Sequence, residues 1–215
     1  MSRRSFSFPV AAICALILAA PALAASGHAT YYKIKGGALN FNISASSTLS
    51  NDYGIELSDN ASGGGGNVLG TFALKKGAFV YESSKAMTAD AKNSQAITIV
   101  YDTRGPSGNK AGTTTVKIDR LGLTVGKTSS FLIGHVSGSS TVPGITVAKG
   151  EYRIFNIGGG KMKKSRSSSY KYVFSSNDLT FNSQLTNLLN SFGTPKGTNK
   201  ASAKIDLGGM SVKVK

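Results

Sequence analysis

Four cations fall within six residues at Lys161, Lys163, Lys164 and Arg166, and Tyr170, Lys171 and Tyr172 follow closely. Ammonium and guanidinium groups at that density neutralise several phosphates or carboxylates of a polymer, with an affinity that falls steeply as salt rises. Rings beside cations also resemble a stacking surface for single-stranded nucleic acid. The plain alternative for Gly158 to Arg166 (GGGKMKKSR) is a solvated basic loop. Lys161, Lys163, Lys164, Arg166 and Lys171 are the candidate anion-binding residues, with Tyr170 and Tyr172 as candidate aromatic contacts.

Bond-breaking chemistry has less to work with. Hydrolysis by a side-chain nucleophile needs a base and a group that orients it. The histidines are His28, near the start, and His135, one residue from Val136. Gly134 to Gly138 reads GHVSG, which sets the serine one place late for a nucleophile elbow. A glycosidase needs two carboxylates facing across a cleft, and Glu56, Glu82, Glu151 and seven aspartates give no pattern that selects a pair. Gly158-Gly159-Gly160-Lys161 looks like the end of a phosphate loop, yet Met162 stands where Ser or Thr would hold magnesium and Phe155 where the first glycine belongs. The run Asp59 to Asn67 lacks the ladder of carboxylates of a calcium loop. The reading is of a protein without catalytic or metal-binding residues.

The N-terminus assigns a compartment. Arg3 and Arg4 precede an apolar run of eleven residues from Val10 to Ala20, and Ala22-Leu23-Ala24 places small residues where a signal peptidase reads. The run falls well short of the roughly 20 residues that span a bilayer. Residues 1–24 are expected to be a cleaved signal peptide, and 25–215 a single β-rich domain that is secreted, periplasmic or on the cell surface. Ser2-Arg3-Arg4-Ser5-Phe6 also fits a twin-arginine start, although a short signal with no basic residue near the cleavage site favours a plain positive n-region. The one cysteine, Cys14, leaves with the signal, so the exported chain has no disulfide, thiolate ligand or cysteine nucleophile.

Charge is unevenly spread. Removing Arg3 and Arg4 from 25 basic residues leaves 23 against 10 acidic, about +13. Ala25 to Asn109 holds seven basic and six acidic residues, whereas Lys110 to Lys215 holds sixteen and four. Such asymmetry places a positive face or end toward an anionic polymer, an envelope surface or, less simply, nucleic acid.

The elements that must carry these residues read as strands. Leu39, Phe41 and Ile43 alternate with Asn40, Asn42 and Ser44, the period-2 pattern of a half-buried strand. Tyr31 to Lys35, Tyr53 to Ser58, Val68 to Leu74, Ala78 to Glu82, Ala96 to Asp102, Thr113 to Asp119, Leu121 to Val125, Phe131 to Val136, Ile145 to Val147 and Glu151 to Ile157 continue the series. Lys75-Lys76-Gly77 reads as a hairpin turn, Ala86 to Asn93 as a short helix or irregular crossover, and 105–112 (GPSGNKAG) as a possible subdomain boundary. Leu185, Leu188, Leu189 and Phe192 recur at helical spacing after a capping Asn182 or Ser183, which predicts one short C-terminal helix at about 183–192. Ala201 to Leu207 and Met210 to Val214 read as two strands turned at Gly208-Gly209. The fold class is mainly β: an antiparallel β-sandwich or two packed sheets.

Gly36 to Ala61 (GGALNFNISASSTLSNDYGIELSDNA) has a double glycine, an alternating strand, a short segment ending in Leu49 and a Gly-Ile strand. That order resembles the strand pattern of HtaA-like secreted bacterial β-domains. Thr180 to Phe192 (TFNSQLTNLLNSF) is similar to their Leu-Asn helix, and the likeness covers about a third of the mature chain. The resemblance implies a β-rich domain linked to haem uptake at the cell surface. The family's tryptophan-bearing start has no counterpart here, and no haem ligand carries over to a particular tyrosine. The expected function is a non-catalytic binding or structural protein of the envelope or surface that uses its basic C-terminal half. A haem-type carrier and a self-assembling extracellular matrix protein are the alternatives.

Overall fold

The computed structural model describes residues 31–61, 69–81, 84–105 and 107–215. The expected signal peptide, His28 and the four-glycine run of 63–66 lie outside the described residues. The first half contains β1 (Tyr31–Lys33), β2 (Gly37–Ile43), α1 (Ser46–Tyr53), β3 (Ile55–Asp59), β4 (Thr71–Leu74), β5 (Phe79–Tyr81), β6 (Ala86–Asp90) and β7 (Ile97–Arg104). The second contains β8 (Lys110–Val125), β9 (Ser130–Ser140), β10 (Gly150–Gly158), β11 (Lys161–Lys164), β12 (Tyr172–Phe181), α2 (Ser183–Asn190) and β13 (Asp206–Val214). The protein is mainly β and antiparallel. No helix among the described residues is long and apolar enough to cross a membrane.

The layers belong to one sheet, in the order β1-β5-β6-β8-β9-β10-β12-β13-β2-β4, with β7 beside β8, β3 beside β7 and β11 beside β12. β8 bends between Asp119 and Gly122 as Arg120 takes a positive φ of 51°, so its first half pairs with β7 and its second with β6. The sheet curls until β4 meets β6: a Leu74–Ala91 bridge is flanked by Lys75 N–H to Asp90 O at 2.7 Å and Lys92 N–H to Ala73 O at 2.9 Å. This contact covers the margin of β4, which would otherwise template pairing with other chains.

Alternation fixes which face is inside. Leu39, Phe41 and Ile43 of β2 and Ile97, Ile99 and Tyr101 of β7 are buried in one continuous core. A chain of rings crosses it: Phe72 to Phe41 at 5.6 Å, Phe41 to Phe155 at 5.8 Å and Phe155 to Phe181 at 5.9 Å. α2 seats Leu185, Leu188 and Leu189 on this core, and the Asn182 side chain caps it by accepting from Gln184 N–H at 2.9 Å.

Several local expectations change. β4 and β5 do not pair with each other. Lys75–Gly77 joins them without making a hairpin, because β4 pairs with β2 and β5 with both β1 and β6. Ala86 to Asp90 is the strand β6, with Met87 and Ala89 inward and Thr88 and Asp90 outward, rather than a helix or crossover. The stretch 145–147 holds no strand, although Val147 is buried. Gly208-Gly209 makes no turn: β13 runs straight through it, and a Cβ on Gly208, whose φ is +106°, would strike the Asn42 carbonyl. A second helix, α1, joins β2 to β3, packs Leu49 inward and ends at Gly54 with φ of 62°. The 105–112 cluster contains the turn that joins β7 to β8, two paired strands of the same sheet.

Tyr101 ties β7 to the turn after α2. Its hydroxyl donates to the Gly193 carbonyl at 3.1 Å, its ring lies 6.0 Å from Phe192, and burial pushes its pKa up to about 12. A phenol held neutral in the fold gives stability that is complete below pH 10 and disappears between pH 10 and about 12, as the unfolded chain ionises first. Alkaline unfolding titrations should therefore lose on the order of 2 kcal/mol more in the native protein than in Tyr101→Phe across that window. Equal alkaline slopes for the two proteins would remove Tyr101 as the cause.

Candidate functional site

The basic run is not a loop. β10 and β11 form one interrupted ladder along β12: Phe155 to Gly158 face Phe181 to Asp178, and Lys161 to Lys164 face Ser175 to Tyr172. β9 accompanies this ladder only to Ile157, so β11 projects past it and, among the described strands, pairs with β12 alone. Side chains on directly paired residues share a face. Met162 and Lys164 therefore lie with Phe174 and Tyr172, while Lys161 and Lys163 lie on the opposite face with Ser175 and Val173, next to Lys213 of β13. The pleat thus divides the neighbouring cations between two faces.

The hairpin turn from Ser165 to Lys171 closes with Ser165 N–H to Lys171 O at 2.9 Å, and Ser165 and Ser167 hydroxyls each accept from the N–H two residues on. Arg166 stands exposed in it. Lys171 lies over the Tyr32 ring at 3.8 Å, and Lys213 and Lys215 approach the Tyr170 ring at 5.7 and 5.6 Å. Tyr172 is buried and stacks near Tyr32 at 5.7 Å. Of the two candidate rings, Tyr170 is the one partly open to solvent.

Two clefts open beside β11. The first, of about 750 Å³, is lined by Ser84, Lys85, Val125, Gly126, Lys127, Gly160, Lys161, Met162, Lys163 and Phe174. The second, of about 600 Å³, takes Tyr32, Lys164, the serines of the turn, Tyr170, Lys171, Tyr172 and Lys215. Seven lysines line the two clefts, and among the described residues no carboxylate lines either. The ion pairs among the described residues include Lys110–Asp102, Arg120–Asp119 and His135–Asp119, and none of these involves Lys161, Lys163, Arg166, Lys171 or Lys215. Cations of one sign around concave surfaces reinforce each other's field.

Lys85, Lys127 and Lys215 are site residues that sequence reasoning missed. They sit about 80, 40 and 50 positions from the basic run and arrive only through the turns after β5 and β8 and the end of β13. No local signal could have found the first two.

The histidine lies elsewhere. His135 Nδ1 is 3.4 Å from Asp119 Oδ1 at the bend of β8, and neither atom makes a hydrogen bond. No hydroxyl joins them among the described residues. Ser137 follows on the regular strand β9, not on a strand-to-helix elbow. No group of three His, Cys, Asp or Glu side chains that could hold a metal ion occurs among the described residues.

No protein-family model matches the chain, and no curated protein matches it. Among solved structures, the chain is similar to the crystal structure of the C-terminal domain of HtaA from Corynebacterium glutamicum, at 14% identity over 85% of this chain and 97% of that one, with a TM-score of 0.48. This is the family that Gly36 to Ala61 resembles.

Proposed function

We propose that the chain is an exported, non-catalytic binding domain that holds an anionic polymer or envelope surface at the end of the curled sheet where β11 projects. One observation carries the reading: seven lysines line the two clefts beside β11, with no carboxylate among the described lining residues. Polyanions gain from such a surface by releasing their counterions, and a lining without acids leaves that gain undiminished. Arg166 and the half-open Tyr170 extend the surface around the turn.

Lysine on a strand at the margin of a sheet also has a bland role, since it blocks edge-to-edge pairing. β11, four residues long with three lysines, suits that role as well, and the same feature opposes self-assembly into a matrix. Anion binding separates the two roles. The mature chain, residues 25–215, should be retained on immobilised heparin and on lipopolysaccharide at low salt and elute as salt rises. Passage unretained at low salt overturns the reading. A haem-type carrier is the alternative of a different class, and a Soret band growing to one equivalent on haem titration would put it in place of the polymer.

A further inference from the structure

The pleat sets Lys161 and Lys163 on the outer face of the sheet, away from the core that Tyr172 and Phe174 enter. Following the registers across that face gives two rows. One runs Lys163, Val173 and Lys213 over β11, β12 and β13, and the other Lys161, Ser175 and Ser211. The three lysines are exposed, and none of the six residues is acidic. Neighbouring strands lie about 4.8 Å apart, so the backbones that carry Lys163 and Lys213 are roughly 10 Å apart, with the short Val173 and Ser175 between the two flanks. Long cationic side chains on either side of a low floor make a trough one extended chain wide.

The surroundings select the occupant. The row of Ser175 and Ser211 continues on β2 and β4 as Asn40, whose side-chain carbonyl accepts from the Thr71 hydroxyl at 2.7 Å. Hydroxyl and amide groups beside cations suit a chain that bears both hydroxyls and acids. The bases of a single-stranded nucleic acid need open rings to stack on. Tyr172 is buried on the inner face, and Lys213 and Lys215 already lie over Tyr170 at 5.7 and 5.6 Å. The headgroups of a bilayer form a plane and gain nothing from a floor sunk between two flanks. At the bulge of β12 beyond Ser176, the exposed Asp178 repels a polyanion, so the bound chain extends the other way, toward the turn that carries Arg166.

We propose that a linear acidic polysaccharide lies along β12 on this outer face, its acid groups held from one side by Lys161 and Lys163 and from the other by Lys213. The proposal rests on the polyanion reading, narrows it to a single polymer chain, and adds Lys213, Val173 and Ser175 to the site.

The test is calorimetry of a heparin hexasaccharide on the mature chain, with one fragment bound per protein. Lys213→Gln should weaken it about fivefold and shrink the slope of log K against log salt by about one, as Lys163→Gln does from the other flank. Val173→Glu sets a carboxylate on the floor and should weaken the fragment about tenfold or more. Thr98→Glu makes the same charge change on the outer face of β7, four strands away, and should alter affinity less than about twofold, because surface charges at that distance are screened. Thermal melts show which variants are folded, and if Val173→Glu is not, Lys213→Gln decides alone. Lys213→Gln no weaker than Lys117→Gln, or folded Val173→Glu no weaker than Thr98→Glu, overturns the trough, and heparin retention of the unaltered protein then shows whether the broader reading stands without it. Oligothymidylate or phosphatidylglycerol vesicles bound as tightly as the hexasaccharide, with the same response to Val173→Glu, also overturn the proposal and reassign the face to nucleic acid or to a membrane.

Discussion

Glutamine at Lys161, Lys163, Arg166 and Lys171 together should lower affinity for heparin about 100-fold at low salt and shrink the slope of log K against log salt by about three. Every cation that meets a phosphate-like group frees somewhat less than one counterion, so neutralising four of them accounts for a change of that size. The side chains are exposed, so their removal should perturb folding little. The largest structural cost is the Lys171 cation over Tyr32, worth roughly 0.5–1 kcal/mol at an exposed site. The control is an equal charge change elsewhere, with glutamine at the exposed Lys117, Lys196, Lys200 and Lys204. A control that weakens heparin as much as the hairpin variant would assign the affinity to net charge alone and end the case for a site.

Phe155→Ala should cost about 3–5 kcal/mol, a large part of the roughly 5–15 kcal/mol that holds an ordinary domain folded. Phe155 is fully buried on β10, and its ring touches those of Phe41 on β2 and Phe181 on β12. These strands come from both ends of the sequence and share one interior only because the sheet curls. Truncating the ring removes its burial and leaves a void between elements that cannot all close in on it. Urea unfolding followed by tyrosine fluorescence measures the effect, and Phe155→Leu should recover more than half of it. A cost below about 1 kcal/mol for the alanine variant would mean the two halves of the chain do not depend on this ring.

What could be read from sequence follows how local each signal is. β2 was legible because large apolar residues strictly alternate, and α2 because Leu185, Leu188, Leu189 and Phe192 repeat at helical spacing. β6 was not, because its inward residues, Met87 and Ala89, include one too small to mark a face. β12 hides behind Ser175, Ser176, Asn177 and Asp178, where the strand buckles against β13 and Ser176 hydrogen-bonds the Gly158 carbonyl. Glycine pairs carried the wrong sign. At Gly208-Gly209 they mark strands pressed too close for a Cβ, whereas composition alone suggests a reversal. The basic run was visible as a cluster, but its pleat, its pairing with β12 and the lysines joining it from the turns after β5 and β8 are consequences of topology.

The pairing of β2 with β13 sets an order of events. Gly37 sits opposite Val214 and Ile43 opposite Gly208, so two neighbouring strands are separated by most of the described sequence. β4 closes one side of β2 through nearby residues, with Leu39 opposite Phe72, but the side that faces β13 stays open until that distant strand arrives. Contacts so distant along the chain make for slow assembly. A molecule of this kind stays pliable until its most distant strand has docked, however early its local hairpins form.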